Sequence, residues 1–519
     1  MAEIPPFEIY PYSITKLKEI LLLKSKATRE IVEDKLHCFY FEGYFSYLKA
    51  ATIFVENRYI DRDFLDDFSK YYVRCFNDYE RKCTRLHFFT LAFSEAEFDS
   101  LLKGEPCAID ETKLNDHYLG FTVIKPLPET IIGRTCLKTY DSDGDRRHYD
   151  SIIHKYDVNL FGVNLVIRSL AFQEQDHVVG ACASSALWSV FYKTGFLFQH
   201  PKLSLVDITE AACSHIPLET RSIPNKGLTQ TQMAHAIRST GLEPFLVNAS
   251  DQDILKQNLY AYINLGVPIL MGVWLFDFSS GTPQYFGNHA IAITGYSLGY
   301  PNPIPFGSSG ILLRSSRIDK IYAHDDQIGP FARMVLNQGN ITINGNQHNT
   351  ISTSWKWDKK PIGNVKAVSD IILIPLYNKV RIAFNTIQSL IIYFDRFIEV
   401  MRGKGFLSSG QRLEWDIRLT TINQFKNNIS KLTCLTGDLK RSILLNRMPR
   451  FLWRATARCE ETYVLDLLFD ATDIEQGSFL IDVIGYEAKF ITELLVISKD
   501  PKFDKNKPEW RILQWFARQ

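Results

Sequence analysis

The stretch "VVGACASSALWSV", which begins at Val178, sets one thiol, Cys182, just after a glycine and at the head of an apolar run. The N-terminus of a helix is the positive end of its dipole and carries unpaired N–H groups. A cysteine placed there is favoured as the thiolate, its nucleophilic form. Its own N–H is also placed to donate to an oxyanion. Ala183, Ser184 and Ser185, which follow, are small and leave the sulfur accessible. A second reactive side chain, His289, opens the run "GNHAIAITGYS". Strand alternation puts His289, Ile291 and Ile293 on one side and Ala290, Ala292 and Thr294 on the other. A histidine at the end of a buried strand can serve as a general base. A third stretch, "KIYAHDDQIGPF", ends in Asp325 and Asp326 before a Gly329-Pro330 turn. A carboxylate there can accept from a histidine ring N–H and fix its tautomer. Gln173 and Gln175 in "FQEQDHVVGAC" precede the thiol, and a glutamine amide in that place can donate a second hydrogen bond to an oxyanion. Each has an ordinary reading when taken alone: a buried thiol, a satisfied core histidine, a strand-to-loop transition. Together they point to acyl transfer through a thiol.

The elements that must position these residues lie between about 166 and 345. "NLVIRSLAF" reads as a strand and "EQDHVVGA" as a loop. "CASSALWSVFYKTG" reads as a helix closing at Gly195, and "LTQTQMAHAIRSTG" as a second helix ending in glycine. "LEPFLVN" follows as a strand, "DILKQNLYAYINLG" as a third helix, and "VPILMGVWLF", "HAIAITGYSL", "GILLRSS" and "KIYAHDD" as strands. Helices come first and strands pair later, which predicts an α+β layout with a mostly antiparallel sheet. Region 1–165 also reads as α+β, with a helix after a Ser13 N-cap in "SITKLKEILLLKSKATREIVEDKL", an amphipathic run in "DRDFLDDFSKYYVRCF", and strands in "RLHFFTLAF" and "YLGFTVIKPLP". Region 346–519 opens with "TISTSWKWDKKP" and continues with the strand "SDIILIPL" and a long helix in "KVRIAFNTIQSLIIYFDRFIEVMRG". The strand-like "PRFLWRATAR" and "SFLIDVIGY" come later.

The order of glutamine, cysteine helix, histidine strand and aspartate strand resembles the papain-like cysteine peptidases. "NHAIAITGY" is similar to their histidine motif. "YAHD", "LTQTQMAHAIRSTGLEPFLV" and "NLGVPILMGVWL" resemble the bacterial branch that cleaves bacteriocin leader peptides after a double glycine. The resemblance covers about 165–335. It implies a papain-like core and a cysteine peptidase, with Cys182 as nucleophile, His289 as base, Asp325 as orienter and Gln175 as oxyanion donor. Gln175 lies seven residues before Cys182, where the family usually spaces six, so Asp176 fills the usual slot and Gln173 remains an alternative. Ala183 replaces the usual glycine. The family's Asn-Ser-Trp segment is absent from its usual place, and "TSWKW" comes only later, so Asp326 stands as an alternative third residue. The same site serves deamidation, transglutamination or isopeptide cleavage, and a fold of this type can also persist as a non-catalytic interaction module.

Composition excludes several other classes. Lys plus Arg (59) balance Asp plus Glu (58), for a net charge of +1, so nothing global favours nucleic acid or an anionic membrane. The nine cysteines form no CxxC pair, and a disulfide scaffold is not expected at this size, which fits a reducing cytosol. The start "MAEIPPFEIYPYS" has no secretory pattern, and the most apolar windows are too short to span a bilayer, so a soluble cytoplasmic protein is expected. The loop "YDSDGDRRHYDS" resembles part of a calcium loop, but its twelfth position from Asp141 is Ile152 rather than Glu. No phosphate loop, dinucleotide fingerprint or metal-ligand spacing occurs, so catalysis without cofactor or metal is expected. The expected substrate is a protein or peptide. The flanking regions are expected to gate the site or to recruit a substrate or regulatory protein.

Overall fold

A computed structural model describes residues 4–519 except 145, 177, 215–222, 224–226, 354–364, 409, 474–478 and 502–503. Most of the "TSWKWDKKP" stretch therefore lies outside the described residues. The chain is mixed α+β and divides into two compact units, each assembled from separate stretches. Unit 1 takes residues 1–250, 266–295 and 321–375, and unit 2 takes 251–265, 296–320 and 376–519.

Unit 1 begins with a five-stranded antiparallel meander whose spatial order is its chain order: Phe7–Pro11, Thr52–Tyr59, Cys83–Phe89, Tyr118–Ile124 and Ile132–Leu137. Cys83–Phe89 and Tyr118–Ile124 are buried at every position, which requires cover on both faces. The helix Ile14–Lys24 starts where its sequence signal predicts, with Ser13 Oγ accepting from the Lys16 N–H at 3.0 Å and Leu17, Ile20 and Leu21 turned inward. Next comes a hairpin of His154–Leu160 and Val163–Ser169, turning through Phe161 and Gly162, both at positive φ.

The second sheet of unit 1 holds His289 and Asp325. Its order is Ser352–Thr353, Gly329–Val335, Ile318–Asp325, Gln284–Leu298, Ile269–Asp277, Val365–Tyr377 and Leu242–Asn248, with the short Arg147–His148 strand beside Gln284–Leu298. Ile269–Asp277 pairs antiparallel with both of its neighbours. The helix Cys182–Phe198 packs against it, burying Leu187, Trp188, Val190 and Phe191. This helix does not close at Gly195. It runs on to Phe198 and stops at Gln199, which is left-handed at φ 59°. A single internal glycine costs only about 1 kcal/mol, which the buried flank of the helix outweighs.

Unit 2 has a six-stranded sheet ordered Pro305–Phe306, Ile311–Leu313, Glu414–Thr421, Phe451–Cys459, Thr462–Asp470 and Leu480–Gly485. Only the Ile311–Leu313/Glu414–Thr421 pairing is parallel. The long apolar helix spans Phe384–Gly403, starting five residues later than the apolar pattern, with Ala383 as its cap residue. Among the described residues, no helix is long and apolar enough to cross a membrane.

Candidate active site

The Cys182–Phe198 helix has Ala181 as N-cap, and no side chain caps it. Cys182 is therefore the first helical residue, half-buried, at an end whose N–H groups have no capping side chain. The small residues after it do more than keep the sulfur clear. Ala183, Ser184 and Ser185 are buried, with Ser184 Oγ 3.1 Å from Thr209 Oγ1 and Ser185 Oγ donating to the Gln173 carbonyl at 2.7 Å. They let this turn pack closely against its surroundings.

His289 lies on the central Gln284–Leu298 strand, opposite Val273, with Ile291 and Ile293 in register below it. The adjacent Ile318–Asp325 strand ends at its side, and His289 Nε2 is 3.0 Å from Asp325 Oδ1 and 3.6 Å from Asp326 Oδ1. The Cys182 side chain lies close enough to this ring to help hold it protonated, the weakest of the influences on it. Asp325 also accepts from the Gln327 N–H at 3.0 Å, and the turn closes through the Ile328 N–H to the Asp325 carbonyl.

Burial opposes charge on these groups. Burial alone would push the His289 ring down, but the carboxylates of Asp325 and Asp326 hold it well above its ordinary value, as an imidazolium. Burial would raise Asp325, but the charge and hydrogen bond of His289 hold it below the usual carboxylate range. Asp326 is pushed up to about 7 by burial and by the neighbouring Asp325, with His289 opposing. The pair of carboxylates thus splits into one ionised member and one poised near neutrality.

The glutamines sit on the loop that enters the cysteine helix. Gln175 is half-buried. Gln173 is buried and its Nε2 has no hydrogen-bond partner. Asp176, in the family's glutamine slot, is fully engaged: its carboxylate accepts from the Val178 and Val179 N–H groups and from Tyr72 Oη at 2.6 Å, and Lys125 lies 3.8 Å away. Its neighbour Glu174 pairs with Lys35 at 2.5 Å and accepts from the Ile132 N–H at 3.0 Å. Phe172 exchanges backbone hydrogen bonds with Thr135. The loop is thus fastened almost wholly by residues from the first 165.

The sequence-predicted Cys182, His289, Asp325 and Asp326 are brought together. His37, which carried no sequence signal, joins their surroundings: it is buried, pushed down to about 4 by burial, and feels the charges of Glu174 and Asp325. His324 of "YAHD" takes no part and instead faces Ser189 of the cysteine helix at 3.4 Å. No protein-family model matches this chain, and no curated protein matches it significantly.

Proposed function

We propose that this chain is a cysteine peptidase with a papain-like core, acting on a protein or peptide through Cys182, His289 and Asp325. The observation that carries the reading is the cluster itself: a helix-head thiol close enough to act on a histidine ring whose Nε2 lies 3.0 Å from a buried carboxylate. Thiol, ring and carboxylate stand in the order that nucleophile activation requires.

In this reading Asp325 holds the imidazolium and sets its orientation. The Cys182 thiolate attacks the scissile carbonyl carbon, and the Cys182 N–H with the Gln175 amide takes the charge that develops on the oxygen. Gln175 is preferred to Gln173 because its side chain is partly open, whereas the Gln173 amide nitrogen is buried. His289 gives its proton to the leaving amine as the C–N bond breaks, leaving a thioester. The now neutral ring takes a proton from water, whose oxygen attacks the thioester carbonyl. The acid leaves, and thiolate and imidazolium are restored.

The test is alkylation by a low dose of iodoacetamide at pH 6, read by peptide mapping. An ordinary thiol is about 300-fold short of full thiolate at that pH. Cys182 is expected to label well ahead of the exposed Cys434, and H289A is expected to remove that lead. Digestion of a peptide library, with C182A as control, then identifies the product. A new amino terminus that depends on Cys182 supports cleavage, and equal digestion by C182A overturns it.

A further inference from the structure

The two consecutive carboxylates behind His289 are not equivalent. Asp325 is hydrogen-bonded by the Gln327 N–H and lies 3.0 Å from His289 Nε2. Asp326 is 4% exposed, and neither of its carboxylate oxygens has a hydrogen-bond partner, although one lies 3.6 Å from the same ring nitrogen. A buried carboxylate without a donor is expensive and is one of the clearest calls for a cation.

We propose that His289, Asp325 and Asp326 hold one divalent transition-metal ion, and that its binding switches the Cys182 site off. One ligand atom from each residue lies within 4.8 Å of the others. Tetrahedral coordination with bonds of about 2.0–2.2 Å sets neighbouring ligand atoms roughly 3.3 Å apart. The observed N···O separations of 3.0 and 3.6 Å bracket that value. An imidazole among the ligands suits zinc and its neighbours, whereas magnesium and calcium favour oxygen alone. Two carboxylates neutralise the double charge, and the fourth position is left to water.

The inhibitory half of the proposal rests on the peptidase reading. A metal on Nε2 displaces that nitrogen's proton to solvent and leaves a neutral ring whose remaining Nδ1 proton is held far more tightly than in an imidazolium. The thiolate then loses its ion-pair partner, and the leaving amine loses an acid strong enough to protonate it. Cys182 is not a member of the three-residue cluster.

The experiment uses the full chain, stripped by a chelator and titrated with zinc chloride against a chromogenic competitor. One zinc per chain is expected. C182S binds like the wild type, and D326N, which keeps the shape and loses a charged ligand, binds at least about 10-fold more weakly, since even an outer-shell partner is worth that much. Unchanged affinity in D326N overturns the site. The cobalt-substituted wild type needs no variant: absence of a thiolate-to-cobalt charge-transfer band supports the ligand set, and its presence overturns it. Zinc is expected to slow iodoacetamide labelling of Cys182 at least tenfold, and a chelator to restore it. Tight zinc binding with labelling unaffected overturns the switch. Labelling that is slow with or without zinc removes the peptidase reading and leaves the metal site standing.

Discussion

At Cys182 two reactions can be told apart by what each demands of the loop before it. Alkylation needs only the thiolate, whereas peptide cleavage also needs donors for an oxyanion. Q175A is therefore expected to lower turnover by about 10²-fold or more, yet to leave the iodoacetamide rate within a factor of two. Loss of both rates would place Gln175 in support of the thiol instead. D325A is expected to lower both rates together, because it removes the group that holds the ring. A separate set of histidines governs stability in acid. His154 sits between Tyr156 and Phe196 with neither ring nitrogen partnered, and burial pushes it down to about 3. Burial pushes His87 down to about 4, with Arg85 adding to it. Both rings bind protons more readily in the unfolded chain, so their contribution is complete above about pH 6.5 and is lost as pH falls toward 4. Each is worth on the order of 3 kcal/mol across that window. H154F keeps the aromatic packing and is expected to shift the acid unfolding midpoint of the full chain to lower pH. An unchanged midpoint would show that His154 stays protonated in the fold.

Among the elements, the histidine strand and the Gly329–Val335 strand that follows the aspartates are held by close approaches at glycine. A Cβ on Gly295, within the "NHAIAITGY" motif, would meet the His148 carbonyl oxygen at 2.6 Å and Tyr149 Cβ at 2.9 Å. Gly329, at φ +151°, would place a Cβ 2.5 Å from the Tyr40 ring, whose hydroxyl donates to the Pro330 carbonyl. G295A and G329A are each expected to destabilise unit 1 by about 1–3 kcal/mol, read as a lower midpoint in urea. An unchanged midpoint in either would show that the neighbouring strand yields freely. These elements show what was legible in the sequence and what was not. Helix caps such as Ser13, the alternation around His289 and the strand end at Asp325 were readable because local chemistry decides them. The helix end was missed because tertiary burial outweighs one glycine at position 195. That both Asp325 and Asp326 would lie within 4 Å of one ring was not readable, since it depends on where the Ile318–Asp325 strand stops beside its neighbour. Nor was the proposed ligand set, in which His289 lies 36 residues before the two consecutive aspartates.

At the scale of the molecule, residues from the first 165 fasten the loop into Cys182. Lys35, Tyr72, Lys125, Ile132 and Thr135 fasten Phe172, Glu174 and Asp176. Residues 166–345 expressed alone would leave Glu174 and Asp176 without those partners. That fragment is expected to stay unfolded by circular dichroism and to lack selective Cys182 labelling; a folded, selectively labelled fragment would refute this dependence. Within the full chain, K35A leaves Glu174 as an uncompensated buried charge, at an expected loss of about 3–5 kcal/mol. The Lys35–Glu174 contact was invisible in the sequence, because no local pattern relates residues so far apart.

The strand Val365–Tyr377 lies between Ile269–Asp277 and Leu242–Asn248, and among the described residues it is the only sheet neighbour of the latter. Consider the chain as it leaves the ribosome. Cys182 emerges long before the strand that completes the sheet behind it, a delay of roughly 10–40 seconds at about 5–20 residues per second. During that interval the thiol exists without a finished scaffold, and the Leu242–Asn248 segment has nothing to pair with. On the proposed peptidase reading, the order of synthesis keeps the newborn chain inactive until its sheet is complete.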